Sequence, residues 1–354
     1  MPNRNHLSFG IGVLSVVTFV ALGLLVLTAV PAAQAGVVSC PPIITGCGCT
    51  ITDSNTHTLG NSISSTDGLT PKGDCIDIKH SGATLDGDFF SVDGAGSGVG
   101  VRILSGATRV TVQNIDVDGV SCDDGIDGWD IGVEDDAGSA NITSNCINGN
   151  VTASILLNSV NKTVVSLFDS DGSTGSCIIL KNSNQNTFQN FDASGCGVNG
   201  ITATGSNRNT FSGFDTDGNT GDGVNFKNSG RNSLSFCSSD GNGGNGVTFK
   251  NSSRNSMSGC DASSDGGDGV FIDPSSNDKI TDSTARSNTL NGIEVAKGSK
   301  GDSVVTNGAV LNGGIDLLDD NADCANGKNV WTNNCFGTAS PISCIPLFIG
   351  PCGG

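Results

Sequence analysis

The sequence predicts an all-β fold, a parallel β-helix whose coils take 23 residues each. Three observations carry this. Gly200, Gly223, Gly246, Gly269 and Gly292 recur at steps of 23 with no insertion between them. Each is followed by apolar residues two apart, such as Val224 and Phe226, which share one face of a strand. The composition also disfavours helices: 52 of 354 residues are glycine, and Ser, Asn and Asp fill the spaces between apolar pairs.

The coil can be read position by position. The blocks begin "GITATGSNRNTFSGFD" (200–215), "GVNFKNSGRNSLSFCS" (223–238), "GVTFKNSSRNSMSGCD" (246–261), "GVFIDPSSNDKITDST" (269–284) and "GIEVAKGSKGDSVVTN" (292–307), with "CIILKNSNQNTFQNFD" one block earlier at 177–192. Take the opening residue as position 1. Positions 2 and 4 are apolar, and position 12 holds Phe188, Phe211, Leu234, Met257 and Ile280. Position 15 holds Phe191, Phe214, Cys237 and Cys260. Each coil therefore has about three short strands separated by Gly/Ser/Asn/Asp turns. A period of this length is one turn of a solenoid, and stacking puts equivalent residues ~4.8 Å apart. Position 10 then becomes a column of Asn186, Asn209, Asn232, Asn255 and Asp278, which reads as a hydrogen-bonded structural ladder.

The ends of the chain differ from its middle. Residues 1–35 read as a secretory signal: Arg4 and His6, the apolar run 11–30, then "AQA" at 33–35 before Gly36. An uncleaved membrane anchor is the alternative, since the run is long enough to span a bilayer. All 14 cysteines follow that segment, and an even count in an exported chain implies disulfides. Cys40, Cys47, Cys49 and Cys75 belong to an N-terminal cap and opening coil over 36–85. Cys324, Cys335, Cys344 and Cys352 belong to a Cys-rich C-terminal cap over 321–354, and the β-helix fills 86–320. Connectivity stays open. For Cys237 and Cys260, stacked at position 15, a disulfide and two buried thiols are both compatible with the spacing.

With these residues on the page, the chain resembles the right-handed parallel β-helix repeat proteins of the pectin-lyase-like superfamily, in particular exported bacterial ones. The resemblance rests on the G-[IV]-x-[FI]-x5-N-x-[FLM] blocks. "CIDIKHSGATLDGDFFSVDGAG" (75–96) looks like an opening coil of that family, and "NVWTNNCFGTASPISCI" (329–345) like its ending. It implies right-handed coils and says less about activity, because the superfamily spans lyases, hydrolases, epimerases, adhesins and viral spikes. Family hydrolases carry Asn-Thr-Asp, Asp-Asp, Gly-His-Gly and Arg-Ile-Lys motifs. This chain has an Asp-Asp at 123–124, with others at 135–136 and 319–320, and lacks the histidine and Arg-Ile-Lys motifs. It has no tyrosine, and only His57 and His80 follow the signal, so the Tyr/His acid–base sites of related epimerases and lyases have no counterpart.

Three sets of residues are candidates for function. The segment 116–136 breaks the 23-residue register, and part of it is expected to protrude as a loop. Asp123, Asp124 and Asp127 are its best catalytic candidates, since paired carboxylates serve as acid and base in glycoside cleavage. Trp129 is a candidate sugar platform if exposed; the plain alternative is a buried indole among acids clustered by composition. The second set is basic. Lys181, Lys227 and Lys250 share position 5, and Arg208, Arg231 and Arg254 share position 9. Stacked, they form two basic columns suited to the carboxylates of an anionic polymer. The third is "DTDGNTGDG" (215–223). It fails as an EF-hand, because Phe226 stands where the closing Glu belongs. It is a repeated turn, and calcium enters only if Asp215, Asp217, Asp222 and Asp240 converge from neighbouring coils.

The net charge of −18 argues against nucleic acid as a partner. The expected function is an exported, non-catalytic β-helix, secreted, periplasmic or at the cell surface, that binds a polysaccharide or another cell-surface component. It has no certain cofactor, and membrane contact arises only through an uncleaved N-terminal segment. The alternatives are a polysaccharide lyase or hydrolase acting on uronate-type glycans, and a structural or adhesive surface rod.

Overall fold

A computed structural model describes residues 37–70, 72–116, 125–321 and 328–346. The signal expected over 1–35, with Asp123, Asp124, Cys324 and Cys352, lies outside the described residues. Two 13-stranded sheets run through the described solenoid, each built from one strand per coil, and two 3-stranded sheets flank them. Pairing is parallel and in register. Val224–Lys227 pairs with Val247–Lys250 in the first sheet, Phe226 opposite Phe249. Ser233–Ser238 pairs with Ser256–Ser258 in the second, Leu234 opposite Met257. Partners sit 23 positions apart, so the sequence period is the coil. The ladders reach from Ile43 and Cys49 to Thr332 and Ser340, so stacking continues into the segments expected as caps. The described helix is one 3₁₀ turn, Ser65–Asp67, capped by Ser64. Among the described residues no helix is long and apolar enough to cross a membrane.

Apolar residues at positions 2, 4, 12 and 15 point inward, and Val224, Phe226 and Leu234 are buried. Identical side chains stack along the axis. Phe168, Phe191 and Phe214 form a column with ring centroids 5.0 Å apart, and Phe188 stacks on Phe211 at 4.9 Å. Stacked rings of this kind add to the area they bury. Phe214 then meets Cys237 in register, and the column ends in a disulfide between Cys237 and Cys260, Cα atoms 4.5 Å apart. Cys40–Cys49 and Cys47–Cys75 close the first coil, and Cys177–Cys196 lies within the solenoid. Cys335 and Cys344 are also disulfide-bonded.

The turns are held by side-chain ladders. The backbone N–H groups of Asn186, Asn209 and Asn232 donate to Oδ1 of Asn209, Asn232 and Asn255 at 2.9, 2.9 and 3.0 Å. A second ladder, not foreseen from the sequence, runs through Asn219, Asn242, Asp265 and Asn288 at position 20 and on to Asn312 after a step of 24. It explains the opening glycines. A Cβ on Gly200 would lie 2.7 Å from the Gly223 carbonyl and 2.9 Å from Asn219 Nδ2, so a larger residue would push coil and ladder apart.

Candidate functional site

The arginine column is assembled by a corner. After each first-sheet strand the chain turns into the second sheet through a residue in the left-handed region: Arg208, Arg231 and Arg254 have φ of 59°, 62° and 63°. This conformation costs an L-residue roughly 1–2 kcal/mol. The ladder sets the corner, because the next residue in each case is the buried Asn209, Asn232 or Asn255. The arginine N–H donates to the carbonyl of Gly230, Ser253 or Ser276 in the following coil at 3.0 Å. The side chains stand exposed outside, and none of the three is in a salt bridge among the described residues.

Together they line a groove of about 630 Å³ with Asn184, Gln185 and Asn207. Its floor is a further ladder, in which Asn207 N–H donates to Asn184 Oδ1 and Gly230 N–H to Asn207 Oδ1, both at 2.8 Å. The groove thus presents a row of guanidinium forks beside amide groups. It can hold an extended chain that carries carboxylates at intervals matching the coil rise.

The same corner extends the column beyond what the 23-residue blocks displayed. Arg109, Ser139, Lys162 and Gln185 also have positive φ and donate their N–H to the carbonyls of Ser139, Asn161, Asn184 and Asn207. Arg109 and Lys162 are therefore cations of the same column, and both are exposed. Lys162 was detectable, since it precedes Gln185 by 23 positions. Arg109 was not, because 30 residues separate it from Ser139.

The lysines are arranged differently. Lys227 and Lys250 are register partners at the outer end of the first sheet, but Thr204 stands between Lys181 and Lys227. Lys250 pairs with Asp273 at 2.9 Å. The lysines do not line the groove; their neighbours Asn228 and Asn251 do.

The expectation for the tryptophan is corrected. Trp129 is 0% exposed and offers no sugar platform. Its Nε1–H donates to the Val92 carbonyl at 2.8 Å, and its backbone N–H donates to Asn150 Oδ1 at 3.0 Å. The indole packs where Gly98 and Gly100 leave room for it, so both its area and its polar tip are satisfied inside. Of the segment 116–136, part of which is expected to protrude, residues 117–124 lie outside the described residues, and 125–136 is built largely into strands. Asp127 lies in a strand, Ile126–Asp127, paired with Val92–Asp93, and Ile131–Asp135 enters the first sheet. Glu134 and Asp136 there form ion pairs with Arg102, which also clasps the buried Asp74.

The four calcium candidates mostly serve turns. Asp217 Oδ1 accepts the Asp240 N–H at 2.7 Å, Asp222 Oδ1 the Asn245 N–H at 2.8 Å, and Asp240 Oδ1 the Ser263 N–H at 2.8 Å. Asp215 is exposed. Carboxylates that meet lie earlier in the chain: ligand oxygens of Asp169, Asp171 and Asp192 are within 4.8 Å of one another. Burial first, and then neighbouring acids, pushes all three above the usual carboxylate range.

One group went unnoticed in the sequence. Glu294 stands on the outer face of the first sheet, in register with Phe271. Burial, then the charges of Asp268 and Asp320, raises it to about 7. Asn291 Nδ2 donates to its Oε2 at 2.6 Å, and Asp268 Oδ1 accepts the Asn291 N–H at 2.7 Å. An acid at position 3, where preceding coils have Thr202, Asn225, Thr248 and Phe271, was the available signal.

Comparison with known proteins agrees with this architecture. Residues 176–336 match the family model described as "Right handed beta helix region". The chain is similar in structure to the A-module of mannuronan C-5 epimerase AlgE6 from Azotobacter vinelandii. Identity is 13%, the match covers 83% of this chain and 82% of that one, and the TM-score is 0.51. It is also similar to DFA-IIIase from Arthrobacter chlorophenolicus A6, in complex with GF2, at 12% identity, 86% of each chain and a TM-score of 0.50. No curated protein matches the chain. The class is thereby defined: a right-handed parallel β-helix.

Proposed function

We propose that the protein binds an anionic polysaccharide, of the uronate type, along the position-9 groove, without cleaving it. One observation carries this reading: Arg208, Arg231 and Arg254 project from equivalent corners of successive coils into one groove, free of salt bridges among the described residues. A repeating ligand suits a repeating site. Each coil offers a fork that takes a carboxylate bidentately, and the ladder beneath it holds the spacing. Several weak contacts on one chain act as a multivalent site. The named activities of the two similar structures concern carbohydrates, which supports a glycan rather than a peptide as occupant. The disulfides suit an oxidising, extracytoplasmic setting where such polymers occur.

The test is retention of the full chain on immobilised polygalacturonate and alginate at low and moderate salt. Retention should weaken as salt rises and disappear in the Arg208→Ala/Arg231→Ala/Arg254→Ala variant. Equal retention of that variant sinks the reading.

A second reading, cleavage of the same class of glycan, is favoured by Glu294. A carboxyl raised to about 7 beside Asp268 is poised to act as an acid at neutral pH. Its test is the appearance of new reducing ends or unsaturated products from uronate and neutral glycans. Activity lost in Glu294→Gln would establish it.

A further inference from the structure

Both turn ladders are built from asparagine, yet each contains aspartate. In the position-10 ladder Asn255 is followed by Asp278 and Asp302, and in the position-20 ladder Asn242 is followed by Asp265. Oδ1 does the same work in every rung. Oδ1 of Asp278 accepts the Asn255 N–H at 2.7 Å, and Oδ1 of Asp265 accepts the Asn242 N–H at 2.8 Å.

The second atom of the amide does a different task. Nδ2 of Asn209, Asn232 and Asn255 donates to the carbonyls of Ser183, Ser206 and Ser229, each 26 residues back, at 3.0, 3.1 and 3.2 Å. Asn288 donates to the Ala262 carbonyl, also 26 back, at 3.0 Å. The equivalent carbonyls are Ser252 for Asp278 (278 − 26) and Ser239 for Asp265 (265 − 26). A carboxylate oxygen cannot donate to them.

Oδ2 of Asp265 and Oδ2 of Asp278 are buried and have no hydrogen-bond partner, and both residues are 1% exposed. Asp265 Oδ2 stands where the amide nitrogens of the flanking rungs stand. A Cβ on Gly246 would lie 2.6 Å from it, as one on Gly269 would lie 2.6 Å from Asn288 Nδ2 and one on Gly223 2.9 Å from Asn242 Nδ2.

We propose that Asp265 and Asp278 keep their protons in the folded protein. Each Oδ2–H donates to the carbonyl that an asparagine rung would serve, Ser239 or Ser252, and the solenoid loses stability as its surroundings turn alkaline. A protonated carboxyl is close to a carboxamide in shape and supplies one donor, enough to serve that carbonyl, whereas a carboxylate leaves two acceptors facing each other.

The charged surroundings act in the same direction. Asp265 faces Asp240 and Asp217, and Asp278 faces Asp302; all are acids. Burial is the leading cause that lifts both groups to about 8, against the pull of the asparagine N–H bonds. Asp302 Oδ2 is also buried without a partner, and that group is lifted to about 6.

The sign follows from linkage. The folded chain holds a proton that the unfolded chain releases near pH 4. Each rung's contribution is complete below that pH, falls as pH rises and is gone above about 8. Across that window each rung lowers the folded-to-unfolded ratio about tenfold per pH unit.

The experiment is urea unfolding of the full chain, disulfides intact, at pH 5, 6.5 and 8.5. The proteins compared are wild type, Asp265→Asn, Asp278→Asn and the double variant, each with EDTA or with calcium chloride. Each asparagine should reduce the fall in the folded-to-unfolded ratio by about tenfold per pH unit, and the double variant should be the more stable protein at pH 8.5. An unchanged slope in folded variants overturns the proposal. So does wild-type stability at pH 8.5 that calcium restores and the variants do not need, which would make Oδ2 a cation ligand. If the variants do not fold, infrared spectra of Glu294→Gln decide, since that substitution removes the carboxyl raised to about 7. A protonated-carboxyl stretch should persist at pH 7.5 and vanish on unfolding, and its absence from the folded protein overturns the proposal.

Discussion

Cys237 and Cys260 occupy the same position in adjacent coils and are joined by a disulfide, continuing the column that Phe168, Phe191 and Phe214 begin. The bond ties two coils at the point where the position-15 column of rings stops. Replacing both cysteines by alanine should cost about 3 kcal/mol, the usual range for a loop of this length. Chemical denaturation of the variant with all other disulfides intact checks this. A midpoint equal to wild type would show that strand pairing alone holds these coils.

The position-10 ladder makes a second prediction. Asn232 Oδ1 accepts the backbone N–H of Asn209 at 2.9 Å and its Nδ2 at 3.1 Å, while its own Nδ2 donates to the Ser206 carbonyl at 3.1 Å. Asn232→Ala strands those groups inside the solenoid. A buried polar group left without its partner costs about 1–3 kcal/mol. Amide hydrogen exchange should locate the damage in the corners at 207–209 and 230–232. Uniform protection across those corners would count against the ladder as the restraint.

The exposed arginines should behave in the opposite way. Arg208→Ala, Arg231→Ala and Arg254→Ala each remove a side chain that stands outside and pairs with no acid among the described residues. Stability should change by no more than about 0.5 kcal/mol per substitution, as for ordinary surface positions. Binding to uronate polymers should fall stepwise with each arginine removed. Arg231→Lys should restore charge but only part of the affinity, because lysine lacks the planar fork.

Trp129 and Trp331, the two tryptophans of the chain, are both buried. Their emission should be blue-shifted and poorly quenched by iodide, and adding a polymer that binds should leave it unchanged. Strong quenching in the folded protein would return Trp129 to the surface. Trp129→Ala should cost about 3–5 kcal/mol, as large buried side chains do.

Much of the coil could be read from the chain because the period left no slack. With five glycines at equal steps, Phe226 and Phe249 had to stack, and so did Arg231 and Arg254. Where coil length changes, the reading stopped. Arg109 belongs to the basic column but stands 30 residues before Ser139, and no constant step reveals it. Within the same stretch, the pairing of Ile126–Asp127 with Val92–Asp93 was equally hidden, because no constant step connects them. Glu294 was passed over because a raised carboxyl depends on burial and on Asp268 and Asp320, which approach from other coils.

By itself the sequence determined the coil, its inward and outward positions and the asparagine column at the corners. A repeat that buries alternate residues admits one stacking, and any slip would turn the apolar faces outward. Tertiary structure alone decided what each outward residue meets: the arginines an open groove, Trp129 the interior, and Asp265 and Asp278 a carbonyl in another coil. Spacing along a chain sets which residues are neighbours. Solvent, depth and the polar atoms opposite set their chemistry, and these exist only once the coils have stacked.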